Sequence, residues 1–132
     1  MKVLVLAARI LLGLIFFVFG INDIKPFMHL PLPSGDALSY MSVLSSHGVF
    51  TVVGLCMVIA GVLLLVGRFV PLALTLLGPI IVNIVMYHVL IDPAGGIAGS
   101  IPAIIVTFLE VFLIVIYRRS FYTLFYPAPE AL

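Results

Sequence analysis

Charge is what this sequence has least of. Six Lys and Arg and five Asp and Glu make up only 8% of the 132 residues. A soluble domain carries about 25% charged residues. Apolar residues make up 64% of the chain, so it cannot cover a water-facing surface, and a soluble globule is excluded. The net charge of +1 creates no global field to draw nucleic acid or an acidic partner. Cys56 is the single cysteine. That excludes an intrachain disulfide, a Cys-x-x-Cys redox pair and a cysteine-based metal or iron–sulfur site within one chain. His29, His47 and His88 show no Glu-x-x-His or His-x-x-x-His helical spacing, so no metal site is expected. No internal repeat is evident, which argues against a repeat-built transporter.

What the chain has instead is four long apolar runs, at residues 3–21, 48–67, 69–91 and 97–117. Each is about 19–23 residues long, enough to cross a hydrocarbon core of roughly 30 Å as a helix. Helices satisfy their own backbone in lipid. The expected fold class is therefore all-α: one integral membrane four-helix bundle that uses residues 1–132 as a single domain. Membrane lipid is the first expected partner.

Lys2 and Arg9 lie at the first end, Arg68 between the second and third runs, and Arg118 and Arg119 after the fourth. The other two connections hold Asp23, Lys25, Asp36 and Asp92. The basic side is expected to be cytoplasmic, with both termini inside. Arg9 interrupts the first run early and no clear small-x-small cleavage site follows, so that run reads as a retained helix.

The connection over 22–47 is long. Its first half contains Pro26, Pro31 and Pro33 and cannot be regular helix. Ser34 reads as an N-cap with Asp36 in the first turn. An interfacial helix is expected over 37–47 on the outer surface, with Leu38, Met41 and Leu44 on one side. Gly78-Pro79 predicts a kink in the third span. Asp92-Pro93-Ala94-Gly95-Gly96 reads as a tight turn. Phe121, Tyr122, Phe125 and Tyr126 beside the basic pair suit an inner-interface anchor.

Helical spacing gives each span a seam. Arg9, Gly13, Phe16 and Gly20 share one side of the first span, and Thr51, Gly54, Val58 and Gly61 share one side of the second. Ala103, Thr107, Glu110, Ile114 and Tyr117 do so in the fourth. Small residues let membrane helices approach closely, so these seams are expected to face inward. Glu110 is the least expected residue, because a mid-helix carboxylate costs about 2.5–3.5 kcal/mol to insert. It must be protonated, paired or beside water. Arg9 lies at a similar depth, so an Arg9–Glu110 ion pair is expected, with register-setting as its plainest role.

A second polar group sits in the outer half. Asn83, Tyr87 and His88 end the third span, and Asn22, Asp23 and Lys25 end the first. Together they form a candidate ligand site: their polar groups suit a carbonyl or hydroxyl headgroup, while apolar walls would hold its tail. A quinone has that polarity. The bland alternative is that these six are interfacial anchors and packing groups. No residue is singled out as catalytic.

Several stretches carry a resemblance. Arg9-Ile-Leu-Leu-Gly13-Leu-Ile-Phe16-Phe-Val-Phe-Gly20 looks like the first-helix pattern of the DoxX family of small bacterial membrane proteins. Gly61-Val-Leu-Leu-Leu-Val-Gly67-Arg68-Phe-Val-Pro71 is similar to its turn between the second and third helices. Asn83-Ile-Val-Met-Tyr87-His88-Val-Leu-Ile-Asp92-Pro93-Ala-Gly95 resembles the end of its third helix in one branch, and the Tyr117-Arg-Arg-Ser-Phe121 ending is also similar. The resemblance implies a four-helix bundle in the bacterial cytoplasmic membrane and a loose association with quinone-linked oxidoreductase systems. It carries Arg9, Gly13, Gly20, Lys25, Gly61, Arg68, Asn83 and His88 over as shared positions. One departure matters: relatives often have a glutamate where this chain has Met57, so a mechanism needing that carboxylate would require Glu110 to replace it.

The leading expectation is an accessory, non-catalytic subunit of a membrane redox system that binds quinone without a covalent link. Its partners would be a membrane redox protein or further copies of itself. The chain has no redox pair of its own, so electrons would come from a bound cofactor or a partner. The alternative is an assembly module or a holder of a lipid-like ligand. A small transporter or proton pathway through Arg9, Glu110 and His88 ranks last.

Overall fold

The structure is a computed structural model and describes residues 1–127. It is all-helical, and four of its helices are long and apolar enough to cross a membrane. Helix α1 covers Lys2–Ile24, α2 Asp36–Ser46, α3 Val49–Val66, α4 Val70–Met86 and α5 Gly96–Ile116. The spans therefore start and stop within a few residues of the sequence expectation. One detail was not expected. The end of α4 continues as a π-helical turn, Tyr87–Ile91, closed by the Asp92 N–H donating to the Tyr87 carbonyl at 2.8 Å. Pro102 lies inside α5, as a fourth span over 97–117 requires. The Asp92–Gly96 turn is present, with Pro93–Gly95 as a single 3-10 turn.

The long helices alternate in direction and pack in the cyclic order α1, α3, α4, α5, with α5 closing back on α1. One end gathers Lys2, Arg68, Arg118 and Arg119 and is called the basic end below; Asp36 and Asp92 lie at the far end. Helix α3 ends at Gly67 in the left-handed conformation, φ 76°, a cap for which glycine has no steric penalty. The Arg68 N–H reaches back to the Leu63 carbonyl at 3.2 Å. Phe69, also left-handed at φ 55°, completes the reversal into α4 at a cost in backbone strain.

Among the described residues, α1 and α3 make the most extensive helix contact. Gly13 faces Gly61 and Gly20 faces Gly54, seven residues apart on each antiparallel helix. A Cβ on Gly61 would stand 2.8 Å from the Gly13 carbonyl oxygen. In lipid there is little hydrophobic gain from pairing helices, so such backbone approach is what packing has to offer. The glycine seams are therefore where the sequence placed them.

Other seam positions differ. On α3 the buried set is Gly54, Met57, Ala60, Gly61 and Leu64; Thr51 is exposed and Val58 half-buried. On α5 it is Ala103, Val106, Glu110 and Leu113, with Thr107, Ile114 and Tyr117 only half-buried. The inward stripe follows different members of nearly uniform apolar helices. The fully buried side chains Leu12, Phe16, Leu64, Leu74, Leu77 and Leu113 make one core.

The interfacial helix is shifted by one residue and turned. Gly35, at φ 64°, caps it rather than Ser34. Ala37 is buried, while Tyr40, Met41 and Leu44 are half-buried and Leu38 is exposed. The bundle-facing stripe is thus 37, 40, 41 and 44, set by where Tyr40 and Met41 meet the end of α4.

Candidate functional site

The polar residues at the far end divide into three places. Asn22 is occupied locally: its Oδ1 accepts the N–H groups of Phe27 at 3.0 Å and Met28 at 2.9 Å. It shapes the chain leaving α1. Asp23 is half-buried beside α3, close enough that a Cβ on Gly54 would lie 3.0 Å from its own Cβ. Lys25 is exposed.

Asn83 and Tyr87 turn to α2. The Asn83 amide and the Tyr40 hydroxyl lie within hydrogen-bond reach, Nδ2 to Oη at 3.3 Å and Oη to Oδ1 at 3.4 Å. The Tyr87 hydroxyl donates to the Met41 sulfur at 3.6 Å. The Tyr40 and Tyr87 rings sit 5.8 Å apart. These contacts hold the interfacial helix against the bundle. Tyr40 and Met41 were not among the expected site residues; their one sequence signal was position on α2.

His88 turns the other way, its ring edge-on to Tyr87 at 5.1 Å. It lines a lateral groove of about 530 Å³ between α4 and α5. Ser100, Ala103, Ile104, Thr107 and Phe108 form the opposite wall. The six expected residues therefore do not converge on one pocket. The structure brings Asn83 to Tyr87, leaves Asn22, Asp23 and Lys25 around the end of α1, and gives His88 to a groove that the sequence reading did not foresee. Ser100 and Thr107, seven apart on α5, were the available signal.

The hydrogen bonding of the groove is one-sided. The His88 Nδ1 lies 2.8 Å from the Ile84 carbonyl. A carbonyl cannot donate, so Nδ1 carries the hydrogen, and in the neutral ring Nε2 is an acceptor. Ser100 donates its only hydroxyl hydrogen to the Gly96 carbonyl at 3.0 Å, and Thr107 donates its own to Ala103 at 2.6 Å. The groove is almost wholly apolar, and what little polar surface it has can accept hydrogen bonds rather than donate them. It suits a ligand whose headgroup donates a hydrogen bond and whose tail is apolar.

The expected Arg9–Glu110 ion pair is not made as a hydrogen-bonded pair. Glu110 is 3% exposed, the one buried charged residue among those described, and neither carboxyl oxygen has a hydrogen-bond partner. Arg9 instead runs toward α3: a Cβ on Gly67 would meet its Nη1 at 2.7 Å. The cause is electrostatic and steric. The carbonyl end of a helix attracts a cation, and Gly67 leaves the space for one. The Arg9 Nε remains buried without a partner.

Met57 is buried in the α1–α3 seam; a Cβ on Gly20 would lie 2.9 Å from the Met57 Cβ. Glu110 lies at another level. Leu4, Ala8 and Leu11 of α1 line a groove with Phe108 and Phe112, which puts Glu110 opposite the first turns of α1. Counted along α1 from Gly20 to Ala8, twelve residues at 1.5 Å each, the two levels differ by roughly 18 Å. Glu110 does not replace a carboxylate at position 57. Among the described residues no group of three His, Cys, Asp or Glu side chains is placed to hold a metal ion.

No family model, no curated protein and no solved structure matches this chain.

Proposed function

We propose that this multi-pass membrane protein is an accessory, quinone-interacting subunit of a redox system in the bacterial cytoplasmic membrane, with its basic end and both termini inside. The observation that carries the reading is His88 in the α4–α5 groove, its Nδ1 tied to Ile84. Nε2 then acts as the acceptor toward a hydroxyl headgroup, and the apolar wall takes the tail. A quinol fits that donor pattern better than the quinone, whose carbonyls need donors. The chain binds and orients; electron transfer belongs to a partner. The resemblance to the DoxX family supports the same association.

The test is composition after gentle extraction. Purified in mild detergent, the protein should carry near-stoichiometric quinol or quinone, and His88→Ala should carry less of it. A specific protein partner or bound lipid without quinone would replace this reading with the assembly or lipid-holding one. That alternative draws on the same groove, since its lone pairs also accept from a lipid hydroxyl.

A further inference from the structure

At the basic end, Arg9 finds no acceptor within the fold. The residue is half-buried, and its guanidinium lies against the turn between α3 and α4. Its Nη1, Cζ and Nη2 would stand 2.7, 2.8 and 2.9 Å from a Cβ on Gly67. Cζ is no farther off than the nitrogens as a pair, so the glycine meets the planar group on its face. The N–H donors lie in that plane and stay open to an acceptor. Among the described residues, the one arginine side chain with a hydrogen bond is Arg118, whose Nη1 donates to the Val115 carbonyl at 3.3 Å. Asp23, Asp36 and Asp92 belong to the far end, and the Glu110 oxygens have no partner. Arg68 is exposed and directly follows Gly67, so a second guanidinium starts from the same turn, with its Cα about 3.8 Å from that of Gly67. Two like charges on one turn repel each other, and an anion that both can reach removes that cost.

The turn is also apolar at its surface. Val66 is 63% and Phe69 65% exposed. Phe69 holds a left-handed φ of 55°, a strain that its exposed ring does not repay by burial in the bundle. Such strain persists where function rewards it. The turn closes an apolar span, Val49–Val66, at the level where hydrocarbon gives way to headgroups. An anion met at that level, with an apolar chain attached, is a phospholipid.

We propose that the turn carrying Arg9 and Arg68 binds the phosphodiester of an anionic phospholipid. The two guanidinium forks take the phosphate oxygens, and Val66 and Phe69 lie against the acyl chains. The inference does not depend on what occupies the α4–α5 groove.

The experiment is native mass spectrometry of the full chain in mild detergent, titrated with phosphatidylglycerol and, separately, with phosphatidylcholine of the same acyl chains. The two lipids share the phosphodiester and differ in net charge. Phosphatidylglycerol should bind the more tightly. Arg9→Gln and Arg68→Gln should each weaken it about fivefold, the share of one basic residue at a membrane surface. Arg119→Gln removes the same charge at the same end and should change little. Arg68 is exposed, so its variant tests the site even if Arg9→Gln does not fold. Equal affinity for the two lipids, or an equal loss in Arg119→Gln, would overturn the proposal. So would displacement of the lipid by inorganic phosphate, which would mark a site for the free anion.

Discussion

Gly20 of α1 and Gly54 of α3 meet backbone to backbone: a Cβ on Gly54 would lie 2.7 Å from the Gly20 carbonyl oxygen, and one on Gly20 would lie 2.8 Å from the Gly54 carbonyl oxygen. Neither atom is the movable tip of a side chain. Relief requires the helices to separate.

Gly54→Ala is therefore expected to destabilise the bundle by about 1–3 kcal/mol, the usual cost of overpacking. Gly99→Ala, where nothing lies within 4 Å of an added Cβ, should not be harmful. Reversible unfolding in mixed micelles measures both. Equal stabilities would mean that the α1–α3 approach is looser than described.

Glu110→Met separates two accounts of the buried carboxyl. An ion-paired Glu110 would make the variant cost roughly 3–5 kcal/mol, because Arg9 would be left alone. With both oxygens unpartnered, removing them should instead stabilise by about 1–3 kcal/mol, the penalty of a buried unsatisfied group. The sign of the change in unfolding free energy decides.

The groove makes its own demand. His88→Ala should weaken quinol binding by about three- to tenfold, the equivalent of one hydrogen bond. Asn83→Leu should leave that affinity unchanged, since Asn83 faces Tyr40. Titration of purified protein with a soluble quinol is the measurement; equal loss in both variants would point to a site under α2 instead.

Reporter fusions fix the orientation. Position Arg68 should be inside and positions Asp36 and Asp92 outside, as the basic residues at one end predict. A translocated C-terminus would reverse the whole assignment.

Length and polarity made the four spans readable, because a hydrocarbon core admits little else. The glycines made the α1–α3 seam readable, since their small size serves only a close approach. The rest of each inward face was not. Lipid-facing and core-facing residues are alike apolar, so Val106 and Leu113 look no more inward than Ile114, and the α5 seam came out rotated. Arg9 was expected at Glu110 because both were lone charges at one depth. Sequence gives depth but not the pull of a helix end, and Gly67 takes the guanidinium. The candidate site fared similarly. His88 and Tyr87 are adjacent in sequence but serve opposite neighbours, and nothing in the residue order announces the π-helical turn on which both lie.

The glycine seam also bears on how the chain is made. All four glycines, Gly13, Gly20, Gly54 and Gly61, lie in the first half of the sequence. Their interface needs nothing from α4 or α5. Chains fold as they are synthesised, N-terminal parts first. Once α3 has entered the bilayer, the first hairpin can close before the last two spans exist, and the later pair assembles against a finished template.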